Sequence, residues 1–562
     1  MIRFDKWLSV LTSFGFLLII ISSLLFVYQY LGGTASSRRR QWGWGAVFGG
    51  LLLLMRLPFI AYNRELEVDE SQMLTQALSL TKYIHYWNDV DGLTQGPLVS
   101  YLLILPSWFG GSFDYISARL VGFVLLSLTL LFTYRTVHNL FAAPVSLAVF
   151  VPTAFFYLLV QGWFCELYNE YVVLCLLAIT FWLFSSLYNQ PYPTFGVLLA
   201  LGFVSGLVPF AKLQGVPTVL VTLLFTALII LSKSPKKILS LLVLLAGCLC
   251  CPLIVLVLTL LNGSFDYFLN FYLIGNFQYS YGGSIWQKAL DYPTFLQHSG
   301  QFIDLFITYA VLIAAYLWVS IRSSFRFNIR SFLVWFGLLH VLTGFYEAIK
   351  SGYQFYHYQQ FLIIPLALLS GALWDGFYAT RQVPAPKVRL ILAGWVLLCC
   401  LPYGIDRLVL FASSARPVTI RLYDLGQPIP VSPISKKILS YTRPGDDLTL
   451  WGWFPAYHIE TQLSQATADN ITFRVLMPGP QQQRHQARFL EDLKRHRPAV
   501  FVDLVNRTHS FWFLNPDVFG HEQVVPIGTY IQTHYQHVAT INDERVYVRK
   551  DRLRESELPR RH

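Results

Sequence analysis

Long apolar runs separated by short polar connections dominate the first 406 residues. Crossing a bilayer as a helix takes roughly 17–25 predominantly apolar residues. Runs of that size fall at about 7–30, 42–62, 115–137, 141–160, 169–187, 194–211, 214–232, 238–261, 301–320, 331–348, 358–379 and 388–405. The pattern predicts a polytopic α-helical membrane protein of about 12 spans. The run at 7–30 is too long, and too poorly followed by small residues, for a cleaved signal peptide, so it is expected to remain as an extra first helix. Beyond residue 408 the pattern changes. Leu448–Trp453 and Ala499–Leu504 are short apolar runs of the kind that form buried strands. Gln482–Arg497 places Phe489, Leu490 and Leu493 on one side of a helix, 528–541 is expected to be another helix, and Arg545–Arg549 a strand. That alternation predicts a small α/β domain over 409–562.

Charge sorts the connections into two sets. One holds Arg38, Arg39 and Arg40, then Arg135, then Lys233, Lys236 and Lys237, then Arg322, Arg326 and Arg330, then Arg381, Lys387 and Arg389. The alternate set holds Glu65, Glu67, Asp69, Glu70, Asp89, Asp91, Asp114, Glu166, Glu170, Asp266, Asp291 and Glu347. Basic connections stay on the cytoplasmic side, which places the acidic set and the C-terminus outside. Three outside segments are long. Residues 63–114 contain helical stretches and a turn at Gly96–Pro97. Residues 262–300, with Tyr267, Phe268, Phe271, Tyr272, Tyr279, Tyr281 and Trp286, are expected to lie along the membrane surface. The tail holds 15 of the 31 acidic residues, a soluble composition.

Composition agrees. Of 562 residues 54% are hydrophobic and 13% charged, where a soluble chain carries about 25% charged residues. This excludes a disordered chain, a disulfide scaffold and an ordinary cytosolic enzyme. A net charge of +11 follows from the basic connections and requires no nucleic acid partner. The seven Cys lie in or beside apolar runs, without zinc-ligand spacing, and read as packing residues. The tail has no glycine-rich phosphate loop and reads as a docking or acceptor-binding domain.

The strongest local signal for chemistry is Val68-Asp69-Glu70-Ser71, just past the second run. Two adjacent carboxylates can divide labour, one taking a proton from an incoming hydroxyl and the other holding substrate. The competing interpretation is an Asp69 helix cap over Ser71–Thr81. Around this pair, on the same membrane side, stand Glu166 and Glu170 (on one face if helical), Lys212 in a very short turn, Arg119 at the mouth of the third run, and His357, Tyr358 and Gln360 entering another. Each alone has a bland explanation, such as a snorkelling cation. Together they describe a pocket for a hydroxyl nucleophile and an anionic leaving group.

Met55-Arg56-Leu57-Pro58, Val68-Asp69-Glu70, Gln95-Gly96-Pro97-Leu98 and Ser117-Ala118-Arg119-Leu120 resemble the first external loop of the GT-C superfamily glycosyltransferases. The closest branch is the protein mannosyltransferase-like one that includes lipid A aminoarabinose transferases. Phe355-Tyr356-His357-Tyr358-Gln359-Gln360-Phe361 with Pro365 is similar to a His-Tyr motif of bacterial members, and Ile434 to Ile531 resembles their extracytoplasmic domain. The resemblance implies a GT-C-like transmembrane catalytic domain over 41–408, preceded by an extra helix and basic loop at 1–40 and followed by the extracytoplasmic domain at 409–562. It implies transfer of one sugar from a polyprenyl-phosphate carrier to a lipid, glycan or protein hydroxyl at a bacterial inner membrane. Asp69 would serve as base with Glu70 beside it, Arg119, Lys212 and His357 would bind the donor phosphate, and Glu166, Glu170, Tyr358 and Gln360 would contact substrate. A single displacement predicts inversion. The carboxylates leave room for a divalent metal, but no cofactor is expected to be obligatory. A secondary transporter would instead place its charges near the bilayer midplane with broken helices and a repeated half; other lipid-linked glycan ligases or polymerases are further alternatives. The sequons Asn470-Ile471-Thr472 and Asn506-Arg507-Thr508 would matter only in a host that glycosylates them.

Overall fold

The computed structural model describes residues 2–31, 38–159, 164–297, 299–322, 331–379, 384–412, 418–506 and 510–556. Arg326, Arg330, Arg381, Arg507 and Thr508 lie outside the described residues. Among those described, 10 helices are long and apolar enough to cross a membrane, each overlapping one expected run: Lys6–Gln29, Gly43–Ile60, Tyr115–Leu140, Glu170–Asn189, Leu213–Lys233, Lys237–Leu261, Phe302–Arg322, Phe332–Ile349, Tyr356–Tyr378 and Pro386–Asp406. The runs at 141–160 and 194–211 are the shorter helices Ala143–Leu159 and Phe195–Ala211, of 17 residues each.

Two compact units divide the chain. The first comprises Met1–Ala61, Gly122–Ile254 and Tyr279–Leu425. In it, a short N-terminal strand β1 (Ile2–Phe4) pairs in parallel with β2 (Val418–Ile420), and Asp5 accepts the Leu422 N–H at 2.6 Å. The first helix is therefore fastened at its start to the segment after helix Ala385–Ala412. Helices Phe195–Ala211 and Lys237–Leu261 approach backbone to backbone. A Cβ on Gly202 would lie 2.3 Å from the Leu244 carbonyl oxygen, and one on Gly206 2.4 Å from that of Cys248. This is the glycine spacing that lets apolar helices pack by van der Waals contact when no hydrophobic force separates protein from lipid.

The second unit comprises Tyr62–Val121, Val255–Gln278 and Gly426–His562. Its centre is a mixed sheet of β3 (Asp447–Trp451), β4 (Ser464–Gln465), β5 (Val500–Asp503), β6 (Tyr535–Ile541) and β7 (Glu544–Arg549), in the order β4-β3-β5-β7-β6. β4, β3 and β5 run parallel, whereas β7 is antiparallel to both β5 and β6. Every residue of β3 and β5 is buried, as continuous apolar runs in a covered sheet require. The helix expected over 528–541 is corrected: Val525–His534 is helical, and Tyr535–Ile541 is strand β6. Asn542 and Asp543 both adopt positive φ, 51° and 64°, the geometry of a two-residue hairpin turn into β7.

The loop segment 63–114 folds onto this domain. Helix Val68–Leu80 is buried along nearly its whole length, Ser79 Oγ accepts the Gln465 N–H of β4 at 2.9 Å, and the hydroxyl of Tyr83 donates to Asp447 at 2.6 Å. Gly96–Pro97 is the start of helix Pro97–Trp108 rather than a free turn. The expectation for 262–300 is corrected in part. Phe268, Phe271 and Tyr272 are buried within the second unit, where Trp87 packs on Phe268 with ring centroids 4.7 Å apart, so these rings serve a protein core rather than a membrane surface.

Candidate active site

In the second unit, Asp69 and Glu70 occupy the first turn of helix Val68–Leu80. The free amides of a helix start need acceptors, and Glu67 supplies one, taking the Asp69 N–H at 2.6 Å. The cap considered for Asp69 thus belongs to Glu67, and Asp69 stands half-buried beside it. Glu70 is fully buried and grips Arg119 with both oxygens, Nε to Oε1 at 2.8 Å and Nη2 to Oε2 at 2.5 Å. Other guanidinium hydrogens go to the carbonyls of Tyr62 and Arg64, at 2.5 and 2.8 Å. Arg119 does not snorkel, being 2% exposed. Its guanidinium donates to Glu70 and to the carbonyls of residues 62 and 64. The fork ties residues 62–64 and the acidic helix to helix Tyr115–Leu140.

Glu65 was not distinguished in the sequence from the acids around it. Its carboxylate accepts from Ser71 Oγ, which lies 2.8 Å from the Tyr115 hydroxyl. Burial pushes Glu65 up to about 7, against the Ser71 bond and with added repulsion from Glu70 and Glu460.

In the first unit, Glu170, Lys212, His357 and Tyr358 meet, while Glu166 and Gln360 bond to neighbouring tyrosines. Glu170 opens helix Glu170–Asn189, while Glu166 lies in the loop before it, so the two do not share a helix face as expected. Glu166 accepts the Cys165 N–H at 2.9 Å and the Tyr168 hydroxyl at 2.5 Å. Glu170 is fully buried and pairs with Lys212, which also donates to Asn169 Oδ1 at 3.0 Å and sits 4.5 Å over the Tyr358 ring. His357 Nε2 stands 3.8 Å from Glu170 Oε1, and its ring packs on Tyr168 with centroids 5.0 Å apart. Gln360 Oε1 accepts the Tyr157 hydroxyl at 3.1 Å. Among the described residues Glu170 Oε2 and Gln360 Nε2 are buried without a hydrogen-bond partner. Arg56, part of the motif quoted above but given no role, donates to the carbonyls of Phe164 and Tyr157 and so holds this loop. The result is an ammonium fixed between a carboxylate and an aromatic face, with an imidazole beside it. Such a preset cation can stabilise charge on a leaving phosphate without rearranging.

Elsewhere in the second unit, Asp91 binds Arg474 at 3.2 Å and Arg488 at 3.0 Å, and the Arg488 guanidinium lies 4.2 Å over the Tyr267 ring. Asn470 of the first sequon is 2% exposed and donates to the Gln72 carbonyl at 2.8 Å, so it does not present a surface acceptor. Asp503, His521 and Glu522 bring ligand-type atoms within 4.8 Å of one another. Arg545 already supplies a cation there, with Nη2 2.5 Å from Asp503 and Nη1 2.5 Å from Glu522.

No protein-family model and no curated protein matches the chain. Among solved structures it is similar to ArnT from Cupriavidus metallidurans in the apo state, at 14% identity over 90% of this chain and 97% of that one, with a TM-score of 0.53. The same protein bound to undecaprenyl phosphate aligns at 13% identity over 90% and 98%, with a TM-score of 0.51. The Archaeoglobus fulgidus oligosaccharyltransferase tethered to an acceptor peptide aligns at 12% identity over 88% and 72%, with a TM-score of 0.44. At this identity the ArnT likeness speaks to the fold. With its apolar helices, the chain is an integral multi-pass membrane protein that shares the fold of ArnT.

Proposed function

We propose that the protein transfers a single sugar from a polyprenyl-phosphate carrier to an acceptor hydroxyl on the extracytoplasmic face of a bacterial inner membrane. The observation that carries this is the buried Lys212, held by Glu170 with His357 alongside, on the fold of a protein that has been solved with undecaprenyl phosphate. Lys212 and His357 stabilise the carrier phosphate as it leaves. Glu170 orients Lys212, while Tyr358, Gln360 and Glu166 shape the surroundings of donor and acceptor. Asp69 takes the acceptor proton as the acceptor oxygen bonds to the anomeric carbon and the carbon–phosphate-oxygen bond breaks, a single displacement with inversion. Glu70 and Arg119 are positioning residues that fix the helix bearing Asp69. The lysine and histidine supply positive charge toward the phosphate, so no obligatory divalent metal is required by this scheme. The basic connections support the sidedness.

The test is sugar release by purified protein from a panel of polyprenyl-phosphate monosaccharides, with and without hydroxyl acceptors, comparing wild type with Asp69→Asn. Turnover by wild type and its loss in the variant, with donor binding retained, is expected. Equal turnover in both would remove Asp69 from the chemistry. Failure of wild type to bind any carrier phosphate would sink the glycosyl-transfer reading itself.

A further inference from the structure

In the first unit, helix Ile285–Gln297 and the preceding residues dock on the turn that follows helix Phe332–Ile349. Tyr281 N–H donates to the Ser351 carbonyl at 2.8 Å. Gly352, at φ +74°, makes this approach available, since a Cβ there would lie 1.9 Å from the Tyr281 carbonyl oxygen and 2.9 Å from Lys288 Cε. The docking brings two lysines together. Lys288, 8% exposed, donates to Ser280 Oγ at 2.5 Å and to the Lys350 carbonyl at 2.8 Å, while Lys350 Nζ donates to the Tyr279 carbonyl at 3.1 Å. Among the described residues Lys288 has no carboxylate partner. Asp291, on the same helix, takes a hydrogen bond from Gln287 at 3.3 Å instead.

A buried ammonium normally has a counter-charge close by. Here its neighbour is a second ammonium, and burial together with Lys288 pushes Lys350 down to about 8. The rings beside the pair are stacked: Tyr353 lies between Tyr281 and Phe355 with centroids 5.5 and 5.8 Å away, and Phe355 stacks on His357 at 5.4 Å. A continuous column of rings therefore leads from the lysine pair to the imidazole beside Glu170 and Lys212.

We propose that Lys288 and Lys350 form an anion subsite that takes a phosphate-ester group, separate from the cation at Lys212. Two neighbouring ammonium groups match a group bearing one to two negative charges. The group comes either from a soluble phosphate ester, which under the glycosyl-transfer reading is the acceptor, or from the headgroup of an anionic phospholipid. Only the assignment to the acceptor rests on that reading.

The full chain is reconstituted in phosphatidylcholine nanodiscs with its lysines 13C-dimethylated, and inorganic phosphate is titrated against chloride at matched ionic strength. Phosphate is expected to shift the Lys288 and Lys350 signals saturably and to raise the midpoint of Lys350 from about 8. Lys288→Met should weaken the phosphate response of Lys350 about tenfold or more, and Lys288→Arg, which keeps the charge, should preserve it. Equal shifts with chloride, or a wild-type response in Lys288→Met, would overturn the subsite. Lys212→Met should leave the titration intact; its loss there would place the phosphate at Lys212 and refute a separate site. In discs containing phosphatidylglycerol, signals already shifted and insensitive to added phosphate would support the subsite with a lipid headgroup as its source. Signals that still respond to phosphate would support it with a soluble ester as the source.

Discussion

Lys212 and Glu170 are 3% and 0% exposed, so the charge of each is tolerated only because of the other. Removing one partner from such a pair costs about 3–5 kcal/mol, whereas removing both is often nearly neutral. Lys212→Met is therefore expected to lower thermal stability markedly, and Lys212→Met/Glu170→Gln to recover most of it. Carrier-phosphate binding should stay lost in both. Recovery of binding together with stability in the double variant would mean that Lys212 only neutralises Glu170. At this scale the sequence indicated residue types, and four of the residues do meet, Glu170, Lys212, His357 and Tyr358, with Glu166 reaching His357 through Tyr168. The division between Asp69 and Glu70 was not legible. Adjacent helical positions point about 100° apart, and only the fold shows that Glu70 turns inward to Arg119 while Asp69 stays half-buried.

Elements were legible where one period dominates over a long stretch, as in the apolar runs that became spans. They failed where the period is brief. Tyr535–Ile541 continues a helical-looking segment, yet its β-branched and aromatic residues run into Asn542-Asp543, a hairpin signal that outweighs the helix. A β-branched side chain in the left-handed region costs roughly 1–2 kcal/mol. Asp543→Val should therefore destabilise the sheet by about that amount, and Asp543→Gly should be neutral or stabilising, as read by thermal unfolding. Equal melting of the two variants would deny the positive-φ turn. Helix contacts in the membrane leave only a faint trace in the sequence, here Gly202 and Gly206 standing four apart. Gly206→Val, whose Cβ would lie 2.4 Å from the Cys248 carbonyl oxygen, must separate the two helices. It is expected to lower the melting temperature more than Gly196→Val, where a Cβ meets nothing within 4 Å. A similar loss from both would remove the close contact from the account.

For the molecule as a whole, the second unit buries titratable groups on a scale that makes its stability depend on pH. Burial raises Glu65, Asp469 and Glu544 to about 7 and Asp492 to about 6. It lowers His458 and His496 to about 4 and His485 to about 2. A carboxyl raised on folding binds its proton more tightly in the folded state. Its contribution is full below the unfolded value and is lost as pH rises through the folded one. A histidine lowered on folding acts oppositely, losing stability as pH falls below its unfolded value of 6.5. The two sets oppose each other in acid, and near pH 7 the carboxyls act alone. Glu65 isolates the effect, because Glu65→Gln keeps a hydrogen-bonding side chain for Ser71 without the charge. The variant should gain on the order of 1–2 kcal/mol over wild type at about pH 8, where Glu65 is charged at a cost. At about pH 5, where wild-type Glu65 is protonated, the gain should nearly vanish. An equal difference at both values would mean that Glu65 ionises freely. The expected crossover would tie the proton on Glu65 to the loop whose next turn carries Asp69, through Ser71 and the Tyr115 hydroxyl.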